Sequence, residues 1–331
     1  MNIQELIEYL PQDTQEKVEE AKKQFNQIIR EAIRQETRLR LLSKDENMFD
    51  ENASLTLRVK INTSAGYPQI LKDFFIPEEF RIAAHLSQIK HELIKLKESA
   101  GEVTQSIIAL QDYDEILKFV GGSICYANDE ARELLQMAEQ YDLAKELLKI
   151  ELNILGSYSY NTGFQRSRND IFDSELININ PEINLYWAVI GLVSGSIGVD
   201  INSLTAVVLS HELAHAYTHL GCDINGNRWN DEGFYYTESS VKEGLAQYYT
   251  ERVAQKLKIK FPEIPIAYER LLEKQREEYL LHKKWIDNKR IEPETIRTAL
   301  INRRTGSPIG IDEFEDLLDQ TKSFSTRRKL G

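Results

Sequence analysis

The stretch that decides the fold reads Asn202-Ser203-Leu204-Thr205-Ala206-Val207-Val208-Leu209-Ser210-His211-Glu212-Leu213-Ala214-His215, with Gly221 a little further on. Ala206 to Leu209 are apolar without a break. Asn202 or Ser203 can accept from the first unpaired backbone N–H groups, and Gly221 offers a stop, so the pattern predicts a buried helix over about 203–220. Residues four apart share a helical face. His211 and His215 can therefore turn imidazole nitrogens toward one cation, while Glu212 lies a residue further round. Two imidazoles on a buried face are costly to desolvate singly, and a shared metal ion offsets that cost. The plain alternative is a pair of ordinary core or surface histidines.

A catalytic zinc commonly takes three protein ligands and leaves a fourth position open, so a third donor is sought downstream. Glu243 stands in Val241-Lys242-Glu243-Gly244-Leu245-Ala246-Gln247-Tyr248, at the start of a second expected helix. With the H-E-x-x-H run and this E-G-L-A setting, residues of about 175–255 resemble the gluzincin, or thermolysin-like, clan of zinc metallopeptidases. The resemblance implies Zn2+ held by His211, His215 and Glu243, with Glu212 as general base. It also implies a small sheet whose edge strand lies beside the motif helix and binds an extended peptide, a role that would fall to Glu175–Asn180. Glu243 has a competing reading, because Ser240 three residues before it completes an S-x-x-E capping box. Glu238, Asp231 and Glu232 are reserve acids without the small residues that follow Glu243.

Metzincins would place their third histidine at 221 and a glycine at 218, where this chain has Gly221 and Thr218. His219 is then expected to cap the helix C-terminus or line the cleft. The lookalike His91-Glu92-Leu93-Ile94-Lys95 has Lys95 where a second ligand is needed. Gluzincins offer a Tyr or His to the developing oxyanion. Tyr248 and Tyr249 turn away from the face of Glu243, whereas Gln247 and Thr250 share it and suit an orienting role. Tyr279 and His282 lead the candidates, ahead of Tyr268, Tyr235 and Tyr236.

Around this centre the chain has 331 residues, 41% hydrophobic and 28% charged, a globular composition long enough for two domains. A boundary is expected near 150, giving a mostly helical N-terminal domain (1–150) and a metallopeptidase domain (151–331). Val18, Ala21, Phe25, Ile28, Ala32, Leu39 and Leu42 predict one long amphipathic helix, either a partner-binding arm or a helix packed on its own molecule. Helices are expected at about 78–98, 103–119, 128–150, 183–194, 238–258, 266–288, 293–302 and 311–320. Leu55–Ile61 and Glu175–Asn180 read as strands, and 156–163 as a turn-rich link. The fold class is α+β and predominantly helical.

A net charge of −12 repels nucleic acid and anionic membrane, and the basic Arg327-Arg328-Lys329 reads as a solvated, mobile terminus. Two cysteines, Cys125 and Cys222, fit a reducing compartment, and with no leader or spanning segment the expected location is cytoplasmic. The exopeptidase G-x-M-E-N segment is missing. The expected function is thus a zinc-dependent endopeptidase acting on protein or peptide, with the helical N-terminal domain as the place for a regulatory partner. The alternative is a non-catalytic zinc-bound interaction module.

Overall fold

The computed structural model describes residues 1–41, 59–87, 89–108, 126, 129–137, 139–150, 153–160, 181–288, 290–304 and 306–330. Its helices in chain order are α1 (Ile3–Ile7), α2 (Thr14–Thr37), α3 (Arg81–Ser87), α4 (Lys90–Ile108), α5 (Leu143–Leu148), α6 (Trp187–Ile197), α7 (Ile201–Leu220), α8 (Asp231–Tyr236), α9 (Ser239–Leu257), α10 (Glu263–Leu272), α11 (Pro293–Arg303) and α12 (Ile311–Leu330). The strands are β1 (Lys60–Asn62), β2 (Gly156–Ser159) and β3 (Glu182–Leu185). Helix predominates, with a small sheet, as the fold class anticipates.

Helix α7 is the axis of the molecule. Asp200 caps it by accepting the Ser203 backbone N–H at 2.9 Å, taking the role expected of Asn202 or Ser203. Every residue from Ser203 to Leu220 is buried. A helix apolar on one stripe only could not sit there; this one is surrounded, and its polar residues must find partners inside. Helices α2, α9 and α10 and strands β2 and β3 pack against it.

Helix α2 covers one side through Val18, Ala21, Phe25, Ile29, Ala32 and Ile33. The long amphipathic helix is therefore packed on its own molecule. The expected seam shifts slightly: Ile29 and Ile33 point inward, Ile28 is half-buried, and the helix ends at Thr37, where Arg38 takes a left-handed conformation (φ 57°). Leu39 then packs from beyond the end.

The sheet has the order β1-β3-β2, with β1 parallel and β2 antiparallel to β3. Among the described residues β2 is thus an edge strand, and it lies on α7. This corrects two expectations. Residues 156–159 form a strand rather than a turn-rich link, and Glu182–Leu185 is a strand with α6 starting only at Trp187, rather than helix from 183. Pro181 precedes that strand, and its carbonyl still accepts the Lys60 N–H at 3.0 Å.

The expected helix 266–288 is broken. It starts earlier, at Glu263, because Pro265 lies in the first turn, where no intrahelical N–H is required. It stops at Leu272, since Arg276 takes extended backbone (φ −73°, ψ 165°) and short 3-10, α and π turns follow to Asn288. Arg327, Arg328 and Lys329 lie on the helical backbone of α12. The expected edge strand Glu175–Asn180, the helix beyond Ile108 and the Leu55–Arg58 half of the first strand lie outside the described residues. No helix among the described residues is long and apolar enough to cross a membrane.

Candidate metal centre

His211 and His215 project from one face of α7, one turn apart, and Glu243 reaches them from the first turns of α9. The three donor atoms, His211 Nε2, His215 Nε2 and Glu243 Oε2, form a tight triangle. The two nitrogens are 3.1 Å apart, and Glu243 Oε2 lies 3.1 Å from His211 and 3.5 Å from His215. Donors held about 2 Å from a tetrahedral zinc lie roughly 3.3 Å from one another. The triangle has the edge length of such a coordination shell. All three residues are buried, between 5% and 8% exposed, so bulk water does not compensate the set.

The buried charges of this set are tightly coupled. Burial by itself raises the Glu243 carboxyl, but His215 and then His211 outweigh it and hold it well below the usual carboxylate range. Glu212 is pushed the other way, up to about 8, by burial, with His211 opposing and the Glu243 charge adding. Its Oε2 is buried without a hydrogen-bond partner, as is His211 Nδ1. Groups of this kind are rarely left bare inside a protein, and they cluster where chemistry is done.

The capping-box reading of Glu243 does not hold. Helix α9 starts at Ser239 with Glu238 as its cap residue, and the Ser240 hydroxyl donates to Glu238 rather than marking a cap for Glu243. The reserve acids are occupied elsewhere: Glu238 accepts the Ile311 N–H at 2.8 Å, Asp231 pairs with Arg228 and His219, and Glu232 is exposed. In the decoy run, Lys95 pairs with Glu92 at 3.8 Å.

A small cavity of about 20 Å³ lies beside the centre. Val207, Val208 and Leu155 give it apolar walls, and Glu212, Gln247 and Tyr279 line it as polar groups. Gln247 and Thr250 line the cavity, but their hydrogen bonds do not run to the donor triangle as the orienting role expects: the Gln247 amide donates to Gln275 Oε1 at 3.0 Å and the Thr250 hydroxyl to the Ala246 carbonyl at 2.7 Å. Tyr248 and Tyr249 are buried and do not line the cavity.

Of the two leading oxyanion candidates, only Tyr279 is at the centre. Its ring centroid is 5.7 Å from that of His211. Burial, with the Glu243 and Glu212 charges adding, keeps its phenol protonated far above neutrality. His282 is placed otherwise: its Nε2 lies 2.8 Å from the Tyr268 hydroxyl and 3.1 Å from Glu251, and it does not line the cavity. Tyr268 is engaged in that pair, and Tyr235 and Tyr236 are exposed.

Sequence reasoning missed two residues here. At Gly156 an added Cβ would lie 2.9 Å from Val208 Cγ1 and 3.0 Å from Glu212 Oε1, so only glycine lets β2 run this close to the motif helix. Two residues on, Tyr158 lies with its ring within 10° of parallel to His215, centroids 6.3 Å apart. The signal was present in Gly156-Ser157-Tyr158-Ser159-Tyr160, whose tyrosines alternate with small residues at the strand period.

No protein-family model, no curated protein and no solved structure matches the chain.

Proposed function

We propose that the protein is a zinc-dependent endopeptidase of gluzincin type, in which His211, His215 and Glu243 hold the metal and Glu212 is the general base. The observation that carries this reading is the triangle of three buried donors at coordination-shell spacing, with the Glu212 carboxyl beside it, whose Oε2 is buried without a hydrogen-bond partner.

When bound, zinc would polarise the scissile carbonyl and acidify water. Glu212 would take the proton from that water and pass it to the departing amine. A dication nearby counters the burial that raises the Glu212 carboxyl, returning it toward the range of a base. Tyr279, still protonated, would donate toward the developing negative charge, a contribution on the order of 3 kcal/mol in comparable sites. Strand β2, at the sheet edge among the described residues, offers backbone groups to an extended peptide, which favours a protein or peptide substrate. The non-catalytic alternative gives no reason for Glu212, since a structural zinc site needs no carboxylate beside its ligands.

The test is Glu212→Gln. It should keep zinc at the parent level and lower cleavage of a protein extract, read as new N-termini, by at least about 100-fold. Undiminished cleavage by that variant would remove the mechanism.

A further inference from the structure

Strand β2 meets the motif helix twice, at Gly156 beside Glu212 and at Tyr158 beside His215. The second meeting is anchored by a run of polar groups, centred on the buried His219, that neither the donor triangle nor Glu212 uses. His219, one turn beyond His215 on α7, is fully buried with both ring nitrogens occupied. Its Nε2 lies 3.0 Å from Asp231 Oδ1 and its Nδ1 2.9 Å from the Tyr158 hydroxyl. An ionised carboxylate only accepts, so Nε2 carries the ring proton, Nδ1 accepts, and the Tyr158 O–H donates to it. Asp231 is fixed in turn by Arg228, whose Nη1 reaches Oδ1 at 3.1 Å and Nη2 reaches Oδ2 at 3.4 Å.

The geometry leaves the phenol little freedom. Phe234 stacks on His219 at 4.1 Å with an interplanar angle of 8°, so the imidazole cannot tilt away from its two partners. Of the two roles expected of His219, capping the helix C-terminus or lining the cleft, its partners do not give it the first: both ring nitrogens are engaged by Asp231 and Tyr158.

We propose that Tyr158 is a positioning residue, held by the Arg228-Asp231-His219 relay, which sets the orientation of the His215 imidazole and of the edge strand beside the metal. The proposal rests on the reading of His211, His215 and Glu243 as a metal centre. A ligand whose ring is already oriented loses less freedom on coordination, and groups that orient ligands commonly contribute 10- to 100-fold in metal affinity.

The experiment uses metal alone as the probe. Zn2+ affinity is measured by competition with a chromophoric chelator, and the ligand-field spectrum is recorded after Co2+ loading, for the parent, Tyr158→Phe, His219→Phe and His219→Gln. Tyr158→Phe removes one oxygen and keeps the ring; it should weaken zinc binding about 10-fold and shift the cobalt bands. His219→Phe should do the same. His219→Gln retains an acceptor for Tyr158 and a donor for Asp231, and should restore affinity and spectrum toward the parent. A purely structural contact would lower thermal stability and leave the cobalt spectrum unmoved. If His219→Phe fails to fold, Tyr158→Phe decides. Parent affinity and parent spectrum in Tyr158→Phe would overturn the proposal, as would a His219→Gln protein that bound zinc as weakly as His219→Phe. A parent that takes up neither ion would instead overturn the metal reading beneath it.

Discussion

At Gly156 the molecule has no room for a β-carbon, and the neighbours that forbid it are Val208 and the Glu212 carboxylate. Gly156→Ala should therefore force β2 away from α7 or turn Glu212 from its place. We expect destabilisation of about 1–3 kcal/mol, read from denaturant unfolding, and a loss of cleavage larger than that figure explains. Equal activity with an unchanged unfolding midpoint would show that the strand can shift freely. Gly244 follows the same logic on the other motif helix, where an added Cβ would lie 2.7 Å from Trp285. That contact gives a physical reason for glycine directly after Glu243. His211, Glu212 and His215 were legible because their chemistry is written in helical spacing, and Glu243 because the small residues after it match the E-G-x-A setting of the resemblance. Tyr158 was not, because nothing in the spacing of a short strand says which helix it lies on.

Among the elements, α7 matched expectation closely because its apolar run is long and its ends are marked by Asp200 and Gly221. The errors fall where helical periodicity competes with a short strand, at Glu182–Leu185, and where one residue, Arg276, breaks an otherwise periodic segment. The second break matters for the site, since it precedes the short turns that bring Tyr279 beside His211. Helix α2 supports α7 from the far side, so a cavity there should be felt at the centre. Ile29 is fully buried, and Ile29→Ala should cost about 2–5 kcal/mol by denaturant unfolding. A loss under about 0.5 kcal/mol would mean that α2 contributes little to the core.

For the molecule as a whole, buried residues from Ile3 to Phe314 and Leu318 join in one cluster around α7, which makes global stability sensitive to groups beside the centre. His219 illustrates the sign. Burial, opposed by Asp231, holds its folded value below the ordinary 6.5. Below that pH the unfolded chain binds the additional proton, so this group's stabilisation is present above about 6.5 and is lost as pH falls through the folded value. The midpoint of thermal unfolding should fall more steeply between about pH 7 and 5 in the parent than in His219→Gln. Parallel curves would contradict that account.

The central claim is that this α+β, mostly helical chain is organised around a zinc ion held by His211, His215 and Glu243. Metal analysis of protein purified without chelator tests it most directly. The account predicts about one zinc per chain in the parent and a small fraction of that in Glu243→Ala. A metal-free parent, or a Glu243→Ala protein that retains zinc in full, would contradict it.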